Sequence, residues 1–91
     1  MKKKLRVIFS GTVQGVGFRF TAERLAKDFD VAGFVRNLSD SRVELEAEGE
    51  DSDLRHFLAA IQTSHLAGYI QNADTEWLEF SGAFSGFLIK R

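Results

Sequence analysis

The clearest periodicity in the chain lies at Val43-Glu44-Leu45-Glu46-Ala47-Glu48, where apolar and acidic residues alternate strictly. Successive strand side chains point to opposite faces, so this run predicts a strand with one apolar and one polar face. The three glutamates are expected to form a solvated sheet face. Leu5 to about Ser10 predicts an earlier strand, with Leu5, Val7 and Phe9 on one side and Arg6 and Ile8 on the other. Val31 to Leu38 predicts another. Ser39-Asp40-Ser41, residues that make local hydrogen bonds in turns, joins it to the Val43 strand as a hairpin.

Elsewhere the spacing is helical. Phe18, Ala22, Leu25, Ala26 and Phe29 fall on one stripe, with Arg19, Glu23, Arg24, Lys27 and Asp28 opposite, which predicts a helix from Phe18 to Phe29. Leu54, Phe57, Leu58 and Ile61 repeat the spacing after a break at Gly49 to Asp53, with Asp51 or Ser52 as the expected cap and an end near Thr63. A further strand is predicted from Tyr69 to Asn72, extending toward Phe80, and a last one from Phe87 to Lys90. The order β-α-β-β-α-β is that of an α+β ferredoxin-like sandwich, two helices on one face of an antiparallel sheet, here with a short extra C-terminal strand. One domain over residues 1–91 is expected.

Composition narrows the chemistry. The chain has no Cys, which excludes disulfides, Cys-zinc sites and thiol nucleophiles together, and is compatible with the cytoplasm, the expected location. Lys2, Lys3 and Lys4 precede an apolar run too broken for a signal peptide, and nothing approaches the ~20 apolar residues of a membrane span, so a mature soluble protein with no membrane partner is expected. Net charge is −1, which argues against a nucleic-acid partner. The charge is uneven, +4 over residues 1–45 and −5 over the rest, although the lysine cluster reads as a solvated tail. His56 and His65 read as surface residues rather than a zinc site, and Tyr69 and Trp77 as packing residues on the last strands.

Between the first strand and the first helix runs Gly11-Thr12-Val13-Gln14-Gly15-Val16-Gly17-Phe18-Arg19. Its glycines let the backbone turn tightly and approach a ligand without a Cβ in the way. The loop N–H groups and the orphan N–H groups of the following helix can converge on one point and favour negative charge there. Arg19 adds a planar, permanently charged fork suited to phosphate or carboxylate. The reading is an anion cradle. The Walker and dinucleotide patterns both fail here, at Val16-Gly17-Phe18 and at Phe20 respectively, and an ordinary glycine-rich turn with a solvated Arg remains open from the loop alone.

A second stretch, Gly33-Phe34-Val35-Arg36-Asn37-Leu38, is followed by Asp40 and the Val43-to-Gly49 run. Together with Gly11 to Arg19 it resembles the acylphosphatase family, in the family's order and spacing, over about residues 7–49. The resemblance implies hydrolysis of acyl phosphates to carboxylate and inorganic phosphate. It implies that the backbone of Gln14, Gly15, Val16, Gly17 and Phe18 holds the phosphate, that Arg19 binds its remaining oxygens, and that the Asn37 amide orients the attacking water. It implies no metal and no cofactor, with the substrate's own phosphate taking the water's proton. The partner is then a small-molecule acyl phosphate, inorganic phosphate is product and inhibitor, and a monomer is expected. The chain departs from the family at Ser64-His65-Leu66-Ala67-Gly68, where a Gly-Pro pair is usual, at Ser41 in place of a turn glycine, and more loosely over Tyr69 to Phe80.

Two other readings compete. One is a non-catalytic anion-binding or carbamoyl-phosphate-related interaction domain that keeps the cradle, against which a start at Met1 and an end just after a strand favour an independent protein. The other is an RNA-binding domain of the same element order, for which the aromatic ribonucleoprotein motif is missing.

Overall fold

A computed structural model describes Met1–Arg91. Its elements are β1 (Lys2–Gly11), α1 (Phe18–Ala26), β2 (Val31–Asn37), β3 (Val43–Glu50), α2 (Asp51–Thr63), a 3-10 turn at His65–Tyr69, β4 (Ile70–Leu78) and β5 (Phe87–Lys90). The strands form one sheet in the order β4-β1-β3-β2-β5. β1 pairs antiparallel with β3 and β4, and β2 antiparallel with β3, as the hairpin pattern requires. β5 instead runs parallel to β2, so the sheet is mixed rather than wholly antiparallel.

The helices cover the face that carries Leu5, Val7, Phe9, Val35, Val43, Leu45 and Ala47. These join Phe18, Ala22, Leu54, Phe57 and Ile61 in one buried cluster. α1 stops at Ala26 and Phe29 lies in the turn that follows, its N–H donating to the Ala26 carbonyl at 3.2 Å. α2 begins at Asp51 after Glu50, and neither Asp51 nor Ser52 caps it through a side chain. The Asp51 carboxylate accepts from Arg55 at 2.7 Å, one turn on.

The opposite face departs from the sequence expectation. Glu44 and Glu48 are both 3% exposed, so the glutamates do not form a solvated face. Alternation reports which side of a sheet a residue takes, not what lies over it. Lys4 and Arg6 of β1 stand directly across from Glu48 and Glu46. Glu44 accepts from Arg6 at 2.9 Å and from Arg36 at 2.5 Å. The Lys2–Lys4 cluster is likewise no tail: it opens β1, and Lys4 lies 3.7 Å from Glu48.

A further cover comes from the chain itself. β4 and β5 lie at opposite edges of the sheet, so residues 79–86 must cross between them. The crossing runs over this charged face, where Phe84 packs on Phe34 with centroids 5.9 Å apart. Glu48 holds it, its carboxylate accepting from the Ser81 N–H at 2.6 Å, the Ser81 hydroxyl at 2.7 Å and the Gly82 N–H at 3.1 Å. At the far side the Gly33 N–H donates to the Gly86 carbonyl at 2.9 Å. Gly33 has φ +156, and a Cβ there would meet the Glu46 carbonyl oxygen at 1.9 Å, so only glycine fits this crowded strand centre.

Candidate functional site

β1 delivers the chain to one end of the sheet, where the Thr12 N–H donates to the Tyr69 carbonyl at 3.0 Å and Val13 is fully buried. The loop then needs two left-handed residues, Gly15 and Gly17, each with φ +77. A side chain in that conformation costs roughly 1–2 kcal/mol, which explains glycine at both. Nothing lies within 4 Å of where a Cβ would stand at either glycine, so the requirement is conformational and the space beyond them is open.

Gly17 is also the residue before α1, and it offers no side-chain cap. The first intrahelical bond runs from the Thr21 N–H to the Gly17 carbonyl at 3.0 Å. The N–H groups from Gln14 to Phe20 therefore find no acceptor within the chain. No acidic side chain occupies the first turn of α1 to answer the positive end of its dipole. Packing fixes this end in place: Phe18 is 2% exposed and its ring lies 4.8 Å from that of Phe9 on β1.

Arg19, the next residue, is half-buried and makes no ion pair or hydrogen bond in the chain. Arg6, Arg36, Arg42 and Arg55 are all committed to carboxylates. Asn37, last residue of β2, pairs in register with Val43 and leaves its side-chain amide without a partner. Gly15, Gly17, Arg19 and Asn37 line one cleft of about 240 Å³. Phe18, Val13, Phe20 and Ile89 line the rest of it. No carboxylate borders this cleft, and no group of three or more His, Cys, Asp or Glu that could hold a metal ion is assembled in the fold.

Gln14 and Val16 do not line the cleft. The Gln14 amide turns away to donate to the carbonyls of Leu38 at 2.8 Å and Arg42 at 2.9 Å, at the two ends of the β2–β3 turn. It ties the glycine loop to the hairpin that carries Asn37. Val16 packs on the core. The sequence reading did not reach the Gln14 bridge, Phe20 or Ile89. The bridge needs the hairpin folded beside the loop, and Ile89 reaches the cleft only because β5 docks on β2.

The acylphosphatase family model matches residues 5–89. The chain belongs to the acylphosphatase family. The match includes the divergent stretch around residues 64–86, and it extends beyond the two motifs at both ends. An acylphosphatase of Salinibacter ruber is 38% identical over 90 residues, 99% of this chain and 95% of its own length. One of Methanospirillum hungatei is 40% identical over 90 residues, 98% of each chain. The crystal structure of the Bacillus subtilis acylphosphatase superposes with a TM-score of 0.87 at 30% identity, covering all of both chains. The Bacillus subtilis structure shares the ferredoxin-like sandwich described above. No helix of the chain is long and apolar enough to cross a membrane.

Proposed function

We propose that the cleft hydrolyses the carboxyl-phosphate bond of acyl phosphates, releasing carboxylate and inorganic phosphate. The phosphate sits against the loop backbone between Gln14 and Phe18, of which Gly15, Gly17 and Phe18 border the cleft, and its oxygens accept from N–H groups that have no partner in the chain. Arg19 closes the cradle with its fork and neutralises charge on the phosphoryl oxygens. The Asn37 amide holds a water on the side of phosphorus opposite the acyl oxygen. The water attacks phosphorus, the bond from phosphorus to the acyl oxygen breaks, the carboxylate leaves with that electron pair, and a phosphate oxygen takes the water's proton.

This chemistry asks little of side chains. Phosphoryl transfer is carried by positioning and by positive charge fixed in advance, and a carboxylate is already a good leaving group. The observation that carries the reading is the meeting of two uncommitted groups in one cleft: the Arg19 guanidinium and the Asn37 amide, brought there by separate elements beside a loop of free N–H groups. The reading takes a small-molecule acyl phosphate as the substrate and a cytoplasmic monomer as the working form, the latter checked by sedimentation of the purified protein.

The test is benzoyl phosphate hydrolysis with EDTA present, comparing the unaltered protein with Arg19→Ala, Arg19→Lys and Asn37→Ala. Turnover should survive EDTA and be inhibited competitively by phosphate. Arg19→Ala should lose at least ~10²-fold in kcat/KM, and Arg19→Lys should recover little because a point charge cannot replace the fork. Asn37→Ala should lower kcat with little change in KM, since the water is positioned for the transition state. Near-normal kcat/KM in either alanine variant would remove that residue from the mechanism. Phosphate binding without turnover would instead identify an anion-binding domain.

A further inference from the structure

Two large apolar side chains at the cleft have no place in the chemistry just described. Phe20 is 70% exposed, although it sits in the first turn of α1. The residues that α1 buries are Phe18, Thr21, Ala22 and Ala26, so Phe20 lies off the core stripe and packing does not account for it. Ile89 is 38% exposed. It pairs in register with Val35 and takes the helix-covered side of the sheet at its β5 edge, the side on which Asn37 also lies two residues beyond Val35. Both line the cleft with Arg19 and Asn37.

Two charges on the neighbouring strands face away from this wall. Lys90, next to Ile89, turns to the other side of the sheet, its ammonium 4.1 Å from the Phe34 ring centre. Arg36 lies on that side as well, paired with Glu44. Arg19 is thus the one charged side chain that borders the cleft, and in the hydrolase reading the phosphate engages it. An acyl group leaving the cradle meets an aromatic ring and a branched aliphatic chain, and none of the lining residues other than Arg19 carries a charge.

We propose that Phe20 and Ile89 form the acyl-group wall of the cleft and select acyl phosphates with a larger apolar acyl group over small ones. The proposal rests on the hydrolase reading and adds the class of acyl group to it. A benzoyl or longer alkanoyl group covers apolar surface that an acetyl group cannot reach. Contact with roughly 40 Å² of such surface corresponds to about fivefold in kcat/KM for each wall residue.

The experiment measures kcat/KM for acetyl, butyryl and benzoyl phosphate with the unaltered protein, Phe20→Ala and Ile89→Ala, together with inhibition by inorganic phosphate. The intrinsic reactivity of each substrate is common to all three proteins, so the change in the benzoyl-to-acetyl ratio isolates the wall. That ratio should fall about fivefold in each variant, mainly through KM, while the phosphate inhibition constant stays put because phosphate carries no acyl group. A ratio within twofold of the unaltered protein in both variants would overturn the proposal, as would an equal loss on all three substrates. If the unaltered protein turns over none of the three, the hydrolase reading itself fails.

Discussion

Glu48 offers a direct test of what holds the crossing segment to the sheet. Its carboxylate is 2% exposed, stands 3.7 Å from the Lys4 ammonium and accepts three hydrogen bonds from Ser81 and Gly82. Burial alone raises its pKa, but the Ser81 hydroxyl and N–H, the Gly82 N–H and the Lys4 charge outweigh burial and hold it below the ordinary 4.5. Glu48→Gln keeps the shape and one acceptor oxygen while turning an NH2 group toward donors. Charge-assisted bonds of this kind contribute about 1.5–3 kcal/mol each, and the loss from this partial replacement is about 2 kcal/mol. For a domain of this size that corresponds to a fall in Tm of roughly 8–16 °C. Urea unfolding at pH 7 and again at lower pH reads both parts of the argument. A carboxylate held below its unfolded pKa stabilises fully above about pH 4.5 and loses that contribution as pH falls through its folded value, so the unaltered protein should lose stability on acidification more steeply than the glutamine variant. The cleft lies on the other side of the sheet, and kcat/KM should not change. Unfolding free energies within ~0.5 kcal/mol of each other at pH 7, or identical acid profiles, would refute the assignment.

Other positions give simpler outcomes. Ser41 has φ +75 in the β2–β3 turn, so Ser41→Gly should relieve strain and raise stability by ~0.5–1 kcal/mol in urea unfolding, net of the freedom that glycine adds to the unfolded chain. Gln14→Ala removes both hydrogen bonds from the loop to the hairpin; it should cost ~1–2 kcal/mol of stability and also lower kcat, because the loop and Asn37 lose their shared tether.

The sequence carried some parts of this architecture and not others, for identifiable reasons. Local signals were strong where one element defines the geometry: the glycine spacing that places two left-handed residues before α1, the apolar stripes of both helices, and the Val43–Glu48 alternation. The two motifs with Arg19 and Asn37 also pointed to one site, because their resemblance to a family carries the tertiary pairing that periodicity cannot. What escaped depends on neighbours distant in the chain. Glu44 and Glu48 read as solvated because nothing local reveals that Arg36, Arg6 and Ser81 will lie over them. The lysines at the start read as a tail because their partners are some forty residues downstream. The direction of β5 followed from the sheet crossing, not from its four residues, and with it went the position of Ile89.

The sheet order has a consequence for how the molecule comes together. β1 is made first in the chain yet lies inside the sheet, hydrogen-bonded to β3 and β4 rather than to its sequence neighbour β2. Closing those pairings means bringing together segments separated by much of the chain before contacts repay the lost freedom, so folding is slow for a protein of this length, on the order of milliseconds to seconds. The hairpin of β2 and β3 can form early and locally, with the glycine loop still unsupported beside it. Only when β4 has paired and the crossing has brought β5 onto β2 does the cleft acquire its last side, so the cleft is completed at the end of folding rather than along the way.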